Sequence, residues 1–372
     1  MHKIKILQFP IAAGKGGVTQ YVLNNWKYID RARFQFDFIT FASRLDFEQQ
    51  LFQDGCKVYH MSCYPEQDKK QFVKELDMIL DQGYDIMHIQ TSFWKDTIVE
   101  ERAREKGVKK IIIHAHATGC VKITSEEQQL QAEHIHYAIR DKLTEDLATD
   151  FWACSQDAAK WLYGERIDCK KIKIFNNAID IQRFSYNEAV RTEVRKEFGL
   201  CDKYVIGHVG RLEYIKNQTF LLYILRDVLK RVPSAVLLFV GDGKLRHELC
   251  SKTEELGILD RVIFVGHRDD AERLYQAMDV FALPSYSEAA PFVLLEAQTA
   301  GLKCICSENV SKNFFYTDNV QSISLDNPKE WVDTIINWQK GYKRQDQGNV
   351  IRDAGYDIRI QIQELEKAYA EI

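Results

Sequence analysis

The segment Leu283-Pro-Ser-Tyr-Ser-Glu288-Ala-Ala-Pro291-Phe-Val-Leu-Leu-Glu296-Ala carries the most informative spacing of chemically useful side chains. Small residues follow a strand-like run and lead into a helix starting near Pro291, a favoured first helical residue. Glu288 stands in the loop, and Glu296 sits in an otherwise apolar helical turn. A carboxylate on a buried helix is costly unless a donor meets it. Glu296 therefore calls for a protein cation or for ligand hydroxyls. Free amides at the helix start point toward the region of Glu288. Upstream, Val209-Gly-Arg211-Leu-Glu-Tyr-Ile-Lys216 places two cations around a short loop after a strand. A guanidinium is a planar fork of donors and an ammonium a compact charge. Both suit a diphosphate, although a solvated charge pair needs no ligand.

Two further loops follow strand-like runs. Gly14-Lys-Gly16-Gly17 opens a helix, and a Gly-rich turn there lets backbone N–H groups approach an anion. The dinucleotide fingerprint G-x-G-x-x-G fails because Thr19 stands at its last position, and the phosphate loop ending in G-K-[ST] fails as well. A tight turn without a ligand is the competing account. The run Ile111-Ile-Ile-His114-Ala-His116-Ala-Thr118 ends in a polar cluster. Its histidines, two apart, share one strand face, but no nearby Cys, Asp or Glu completes a metal site. A polar cluster facing a cleft is the better functional reading, beside a purely structural histidine. Phe239-Val-Gly-Asp-Gly243 ends another strand with a Gly turn that a sheet-to-helix connection alone would explain.

Short apolar runs alternate with amphipathic helices throughout, which argues for parallel sheets covered on both faces. Strand-like runs lie at residues 4–9, 36–41, 57–61, 86–90, 110–114, 151–154 and 171–175, and again at 204–209, 235–240, 262–265, 280–283 and 303–306. The expected organisation is a first Rossmann-like domain over 1–178 and a second over 179–350. A C-terminal helix is expected within 351–372, its helical stretch at Ile358–Tyr369, and it could pack back on the first domain. Open α/β sheets bind ligands at the carboxyl ends of their strands, so two such domains suggest a site between them.

The chain has 372 residues, enough for two domains. Net charge is −4, from 50 basic and 54 acidic residues, so no basic domain points to nucleic acid. No apolar run approaches the ~18 residues that span a bilayer, and no leader pattern marks secretion. Nine scattered cysteines form no disulfide framework and suit a reducing, cytoplasmic compartment.

Ser287-Glu-Ala-Ala-Pro-Phe-Val-Leu-Leu-Glu-Ala resembles the E-x7-E motif of family 4 retaining glycosyltransferases, which have the GT-B fold of two doubly wound domains facing a central cleft. The resemblance runs over nearly the whole chain. It takes in Gly16-Gly17, Asn176-Asn-Ala-Ile-Asp180…Phe184, Val209-Gly-Arg-Leu…Lys216-Asn, Val240-Gly-Asp-Gly243 and Val265-Gly-His-Arg268. The stretch His114-Ala-His116 is similar to the bacterial exopolysaccharide and capsule branch.

The resemblance implies that Arg211 and Lys216 hold the donor diphosphate. Glu288 would contact the donor sugar, Glu296 the nucleotide ribose, and the amides of Ala289, Ala290, Pro291 and Phe292 would line sugar and phosphate as far as each has an N–H. Gly16 and Gly17 would let the first loop close on the donor, and His267 and Arg268 would line the base. His116 would stand near the transferring sugar, with His114 and Thr118 completing an acceptor pocket. The implied donor is a nucleotide sugar, UDP-linked, with no further cofactor. The absence of a D-x-D pair agrees with metal independence. The implied acceptor is a saccharide or a polyprenyl-diphosphate-linked saccharide at the inner membrane face, where Lys69, Lys70 and Lys74, or Lys106, Lys109 and Lys110, could meet anionic lipid. Two features depart from the family: Ala289-Ala290 replaces the usual Gly and its apolar neighbour, and Asn176 and Ala178 stand where Pro and Gly are common. A catalytically inactive nucleotide-sugar-binding partner subunit is the alternative; an NAD enzyme lacks its fingerprint.

Overall fold

In the computed structural model, which describes residues 3–14, 16–120, 126–288 and 290–372, the chain divides into two compact units. One is Met1–Ala178 with Ile358–Ile372, the other Ile179–Asp357. The first holds seven parallel strands: β1 Ile4–Ile11, β2 Phe34–Thr40, β3 Val58–His60, β4 Ile86–Thr91, β5 Lys110–Ala115, β6 Asp150–Ala153 and β7 Ile172–Ile174. Their order across the sheet is β3-β2-β1-β4-β5-β6-β7. The second holds β8 Tyr204–Val209, β9 Ala235–Val240, β10 Val262–Phe264, β11 Val280–Leu283, β12 Lys303–Ser307 and β13 Val320–Ile323. Their order is β10-β9-β8-β11-β12-β13. The order reverses between β1 and β4 in one sheet and between β8 and β11 in the other. At such switch points a doubly wound sheet leaves a crevice at its strand ends.

The strands read as apolar because helices cover both faces. All six residues of β9, Ala-Val-Leu-Leu-Phe-Val, are buried. The helix Gln218–Leu229 lays Leu221, Leu222, Leu225 and Val228 into the same core. All nine cysteines are free thiols, and Cys304 and Cys306 are buried on β12.

Two expectations need correction. The pattern gave no strand at β13, whose Val-Gln-Ser-Ile leaves only Ile323 buried; as the outer strand it needs little apolar surface. The segment over 351–372 is not one helix, although the expected stretch at Ile358–Tyr369 is helical, as Ile358–Ala370. Gly348–Asp353 belongs to the second unit, and a separate helix, Ile358–Ala370, belongs with the first. Gly355 at φ 87° interrupts the chain between them, and Asp357 is fixed by Arg352 at 2.9 Å.

The Gly241-Asp-Gly243 turn has a steric cause. A Cβ on Gly243 would lie 2.5 Å from Leu212 O and 2.7 Å from Leu212 N. One on Gly241 would lie 2.1 Å from Gly210 O. Leu212 N donates to Asp242 O at 3.0 Å and Leu245 N to Leu212 O at 3.1 Å. The two loops touch backbone to backbone, and the glycines allow it. Gly243→Ala is therefore expected to destabilise the second unit by about 1–3 kcal/mol, read as a lower thermal midpoint. An unchanged midpoint would refute the close approach.

Candidate functional site

The carboxyl ends of β8 and β11 carry the polar cluster of the second unit. Lys216 closes a short 3-10 turn, Tyr214–Lys216, and Asn217 follows at φ 53°, the one positive-φ non-glycine among the described residues. Asparagine tolerates this conformation better than most residues. Asn217 Nδ2 donates to Pro284 O at 3.2 Å, and Tyr286 N donates to Ile215 O at 2.8 Å. These bonds tie the loop after β8 to the loop after β11. Lys216 Nζ thereby meets Glu288 Oε1 at 2.6 Å, with side chains only 19 % and 9 % exposed. Ser285 Oγ donates to the same carboxylate oxygen at 2.7 Å.

Buried His208 and Gln218 brace this arrangement. His208 Nδ1 lies 2.9 Å from Ala282 O. Gln218 Nε2 approaches His208 Nε2 at 3.2 Å and donates to Arg211 O at 2.7 Å. Burial pushes His208 down to about 4, so it is neutral. Its Nδ1–H donates to the carbonyl, and Nε2 accepts from the amide. Arg211 itself is exposed and pairs with Glu213 at 2.8 Å.

Glu296 lies on the helix Phe292–Thr299, for which Pro291 is the N-cap and not the first helical residue. Within the protein, Tyr275 OH donates to Glu296 Oε2 at 2.7 Å. Burial raises the carboxyl to about 7. Phe292 is buried. Ala290 lies in the loop between Glu288 and this helix, and Ala289 lies outside the described residues. Arg268 is partly exposed and paired within the protein. Its guanidinium grips Asp270 through two bonds of 2.7 and 2.8 Å and stacks over Phe198. His267 is exposed, with Asp269 at 3.7 Å.

The remaining candidates lie in the first unit. Gly16 is the N-cap of the helix Gly17–Tyr28, without side-chain capping. A Cβ on Gly17 would meet nothing within 4 Å, so the chain's own packing does not demand glycine there. Thr19, which breaks the dinucleotide fingerprint, accepts from Ala12 N at 3.0 Å and ties the loop to the helix.

His114 is a core side chain, contrary to its expected place in an acceptor pocket. It is fully buried against Trp152 and Tyr21, and its Nδ1 lies 3.1 Å from His88 Nε2. His88 Nδ1 in turn lies 2.7 Å from Tyr369 OH on the returning helix. His116 is 8 % exposed. Its Nε2 lies 2.6 Å from Gln90 Oε1, and Gln90 Nε2 donates to Gln8 Oε1 at 2.8 Å. Burial pushes His116 down to about 3. It is a neutral imidazole whose Nε2–H serves Gln90, leaving the lone pair on Nδ1. Thr118 is half-buried in the following turn.

Among the described residues, no group of three or more His, Cys, Asp or Glu is placed to hold a metal ion. Sequence reasoning missed Ser285, Tyr275 and Gln90. Ser285 lies three residues before Glu288, a spacing open to view; the other two meet their partners only through the fold.

Residues 190–349, within the second unit, match the family model described as Glycosyl transferases group 1. The chain is 26 % identical to EpsF of Bacillus subtilis (strain 168), named as a glycosyltransferase, over 98 % of this chain and 96 % of that one. It is 29 % identical to the UDP-Gal:alpha-D-GlcNAc-diphosphoundecaprenol alpha-1,3-galactosyltransferase of Escherichia coli, over 66 % of this chain and 63 % of the relative. Among solved structures, Anabaena HepE in complex with UDP shares the fold at a TM-score of 0.74 and 19 % identity, with 100 % of both chains covered. The fold is GT-B, with two Rossmann-like parallel sheets.

The raised Glu296 carboxyl has a consequence for stability. Its folded value of about 7 exceeds the ordinary 4.5, so the fold opposes ionisation. Stability falls as pH rises from about 4.5 to 7 and then levels off. Glu296→Gln cannot ionise. Its stability relative to the parent is expected to improve by about 1–2 kcal/mol between pH 5 and pH 8, discounted for partial exposure. Paired urea melts at both pH values measure this, and a pH-independent difference would refute it.

Proposed function

We propose that the chain is a retaining, metal-independent glycosyltransferase moving a sugar from a UDP-sugar to a saccharide or polyprenyl-diphosphate-linked saccharide in surface polysaccharide assembly. The observation carrying this reading is the Lys216–Glu288–Ser285 cluster at the switch point of the second sheet. Support for the donor and acceptor classes comes from HepE, solved with UDP and with UDP-glucose, and from the E. coli relative named for a diphosphoundecaprenol-linked substrate.

Preorganised charge stabilises a leaving diphosphate without moving at the moment of reaction. Lys216 and Arg211 supply that charge. Arg211, exposed beside Glu213, can turn to an incoming phosphate at small cost. Glu288, fixed by Lys216 and Ser285, accepts from donor-sugar hydroxyls and steadies positive charge developing at the anomeric carbon. Glu296, beside the Tyr275 hydroxyl, accepts from the ribose. Bond formation and cleavage occur on one face of the sugar. The acceptor oxygen joins the anomeric carbon as the carbon–oxygen bond to the diphosphate breaks, and the acceptor's proton passes to a diphosphate oxygen. This gives retention. His116, neutral, orients a sugar hydroxyl through its Nδ1 lone pair.

A cytoplasmic protein using a lipid-linked acceptor works at the inner membrane face. Among the described residues no helix is long and apolar enough to cross a membrane. Lys106, Lys109 and Lys110 pair with Asp81, Asp85 and Asp150. The exposed Lys69, Lys70 and Lys74 on the helix Lys69–Leu80 are the better contact with anionic lipid.

Glu288→Gln should lower transfer by about 100-fold while UDP affinity, by calorimetry, changes less than about threefold. Lys216→Ala should weaken UDP binding by about 1.5–3 kcal/mol. Full transfer by Glu288→Gln would remove its role. UDP binding by the parent chain without turnover of any nucleotide sugar would favour the inactive partner subunit.

A further inference from the structure

The carboxyl ends of β1 and β4, at the switch point of the first sheet, border a cavity of about 250 Å3. Phe9, Phe41, Tyr64 and Phe93 give it aromatic walls. The Phe41 and Tyr64 rings are stacked, 4.1 Å apart at 18°. Its polar wall combines Gln90, Thr91 and Ser92 with the carboxyls of Asp96 and Glu100. Glu100 is only 3 % exposed, and among the described residues no other side chain is bonded to its carboxyl. Burial raises it to about 8. Asp96 is a second carboxyl, also raised by burial, whose Oδ1 accepts from Ile98 N at 3.0 Å.

The one lysine in the wall is already engaged. Lys95 pairs with Glu66 at 3.2 Å, and its Nζ lies over the Tyr64 and Phe93 rings. Lys69 adds only a Coulombic influence on Asp96. Gln90 lies in the cavity wall and also accepts from His116, so the cavity adjoins the histidine assigned to the reaction.

We propose that this cavity is a subsite for one ring of the acceptor, that the ring is a neutral or amino sugar, and that a uronate or phosphosugar is rejected there. The proposal rests on the glycosyltransferase reading and adds the charge class of the acceptor. The volume lies below the ~300–1,000 Å3 of drug-sized sites, which fits a single ring. Aromatic walls take the apolar C–H face of a pyranose, and carboxyl oxygens accept from its hydroxyls or from an ammonium. An anionic sugar would bring like charge against the Asp96 carboxylate in a partly dry site.

Saturation-transfer NMR on the full chain tests this with the methyl glycosides of galactose, glucose, N-acetylglucosamine, glucosamine and glucuronic acid. At least one neutral or amino glycoside should bind, and the glucuronide should not. Phe93→Ala should weaken that binding at least about tenfold, the scale of one aromatic contact. Tyr64→Ala, at a more exposed position, serves if the first variant does not fold. Asp96→Asn should admit the glucuronide. No binding by any glycoside, glucuronide binding equal to the neutral sugars in the parent chain, or indifference to both aromatic variants would overturn the proposal. UDP calorimetry on the same samples separates the two readings. UDP binding without glycoside binding removes the subsite alone; glycoside binding without UDP binding removes the transferase reading and leaves the subsite.

Discussion

A lysine ammonium and a glutamate carboxylate stand 2.6 Å apart with little exposure, at the point where the second sheet reverses its strand order. Burying an ion pair is costly unless its geometry is good and its remaining bonding capacity is met. Ser285 supplies a second donor to Glu288. The loops on each side are cross-bonded through Asn217–Pro284 and Ile215–Tyr286. Beneath Arg211, His208 and Gln218 hold the strand end from inside the core, and Gly241 and Gly243 let the next loop touch it. Much of the local architecture of the second unit thus serves to fix one charge pair.

Several buried histidines and two glutamates are kept near neutrality. His88, His114 and His116 in the first unit and His208 in the second are all pushed down by burial, and Glu296 and Glu100 are pushed up. A neutral imidazole can be both donor and acceptor, which lets the first unit run a bonded network through Gln8, Gln90 and Tyr369 without placing charge in the core. The Lys216–Glu288 ion pair differs from these in lying at the carboxyl ends of β8 and β11, where an open α/β sheet binds ligands.

Much of this was legible in the sequence. The alternation of apolar runs and helices gave two doubly wound sheets, because buried parallel strands must be continuously apolar. Glu296 stood out because a carboxylate in an apolar helix is costly unless a donor meets it, Lys216 because paired cations after a strand suit a diphosphate, and Glu288 because it stands in the loop just before a helix start. Their partners were less visible. Tyr275 reaches Glu296 from another helix, and Gln90 reaches His116 across two strands; both depend on tertiary placement. Asp270, two residues on, was not weighed as the partner of Arg268. His114 was misjudged because a histidine at a strand's end and one inside the core look alike until the neighbouring strand places His88 beside it. The outer strand β13 carried too few apolar residues to announce itself.

A structure of the chain with UDP bound tests the assignment of the donor site most directly. The expected result has the β-phosphate within hydrogen-bonding distance of Lys216 Nζ and the ribose hydroxyls at the Glu296 carboxylate. UDP seated away from both residues would contradict it.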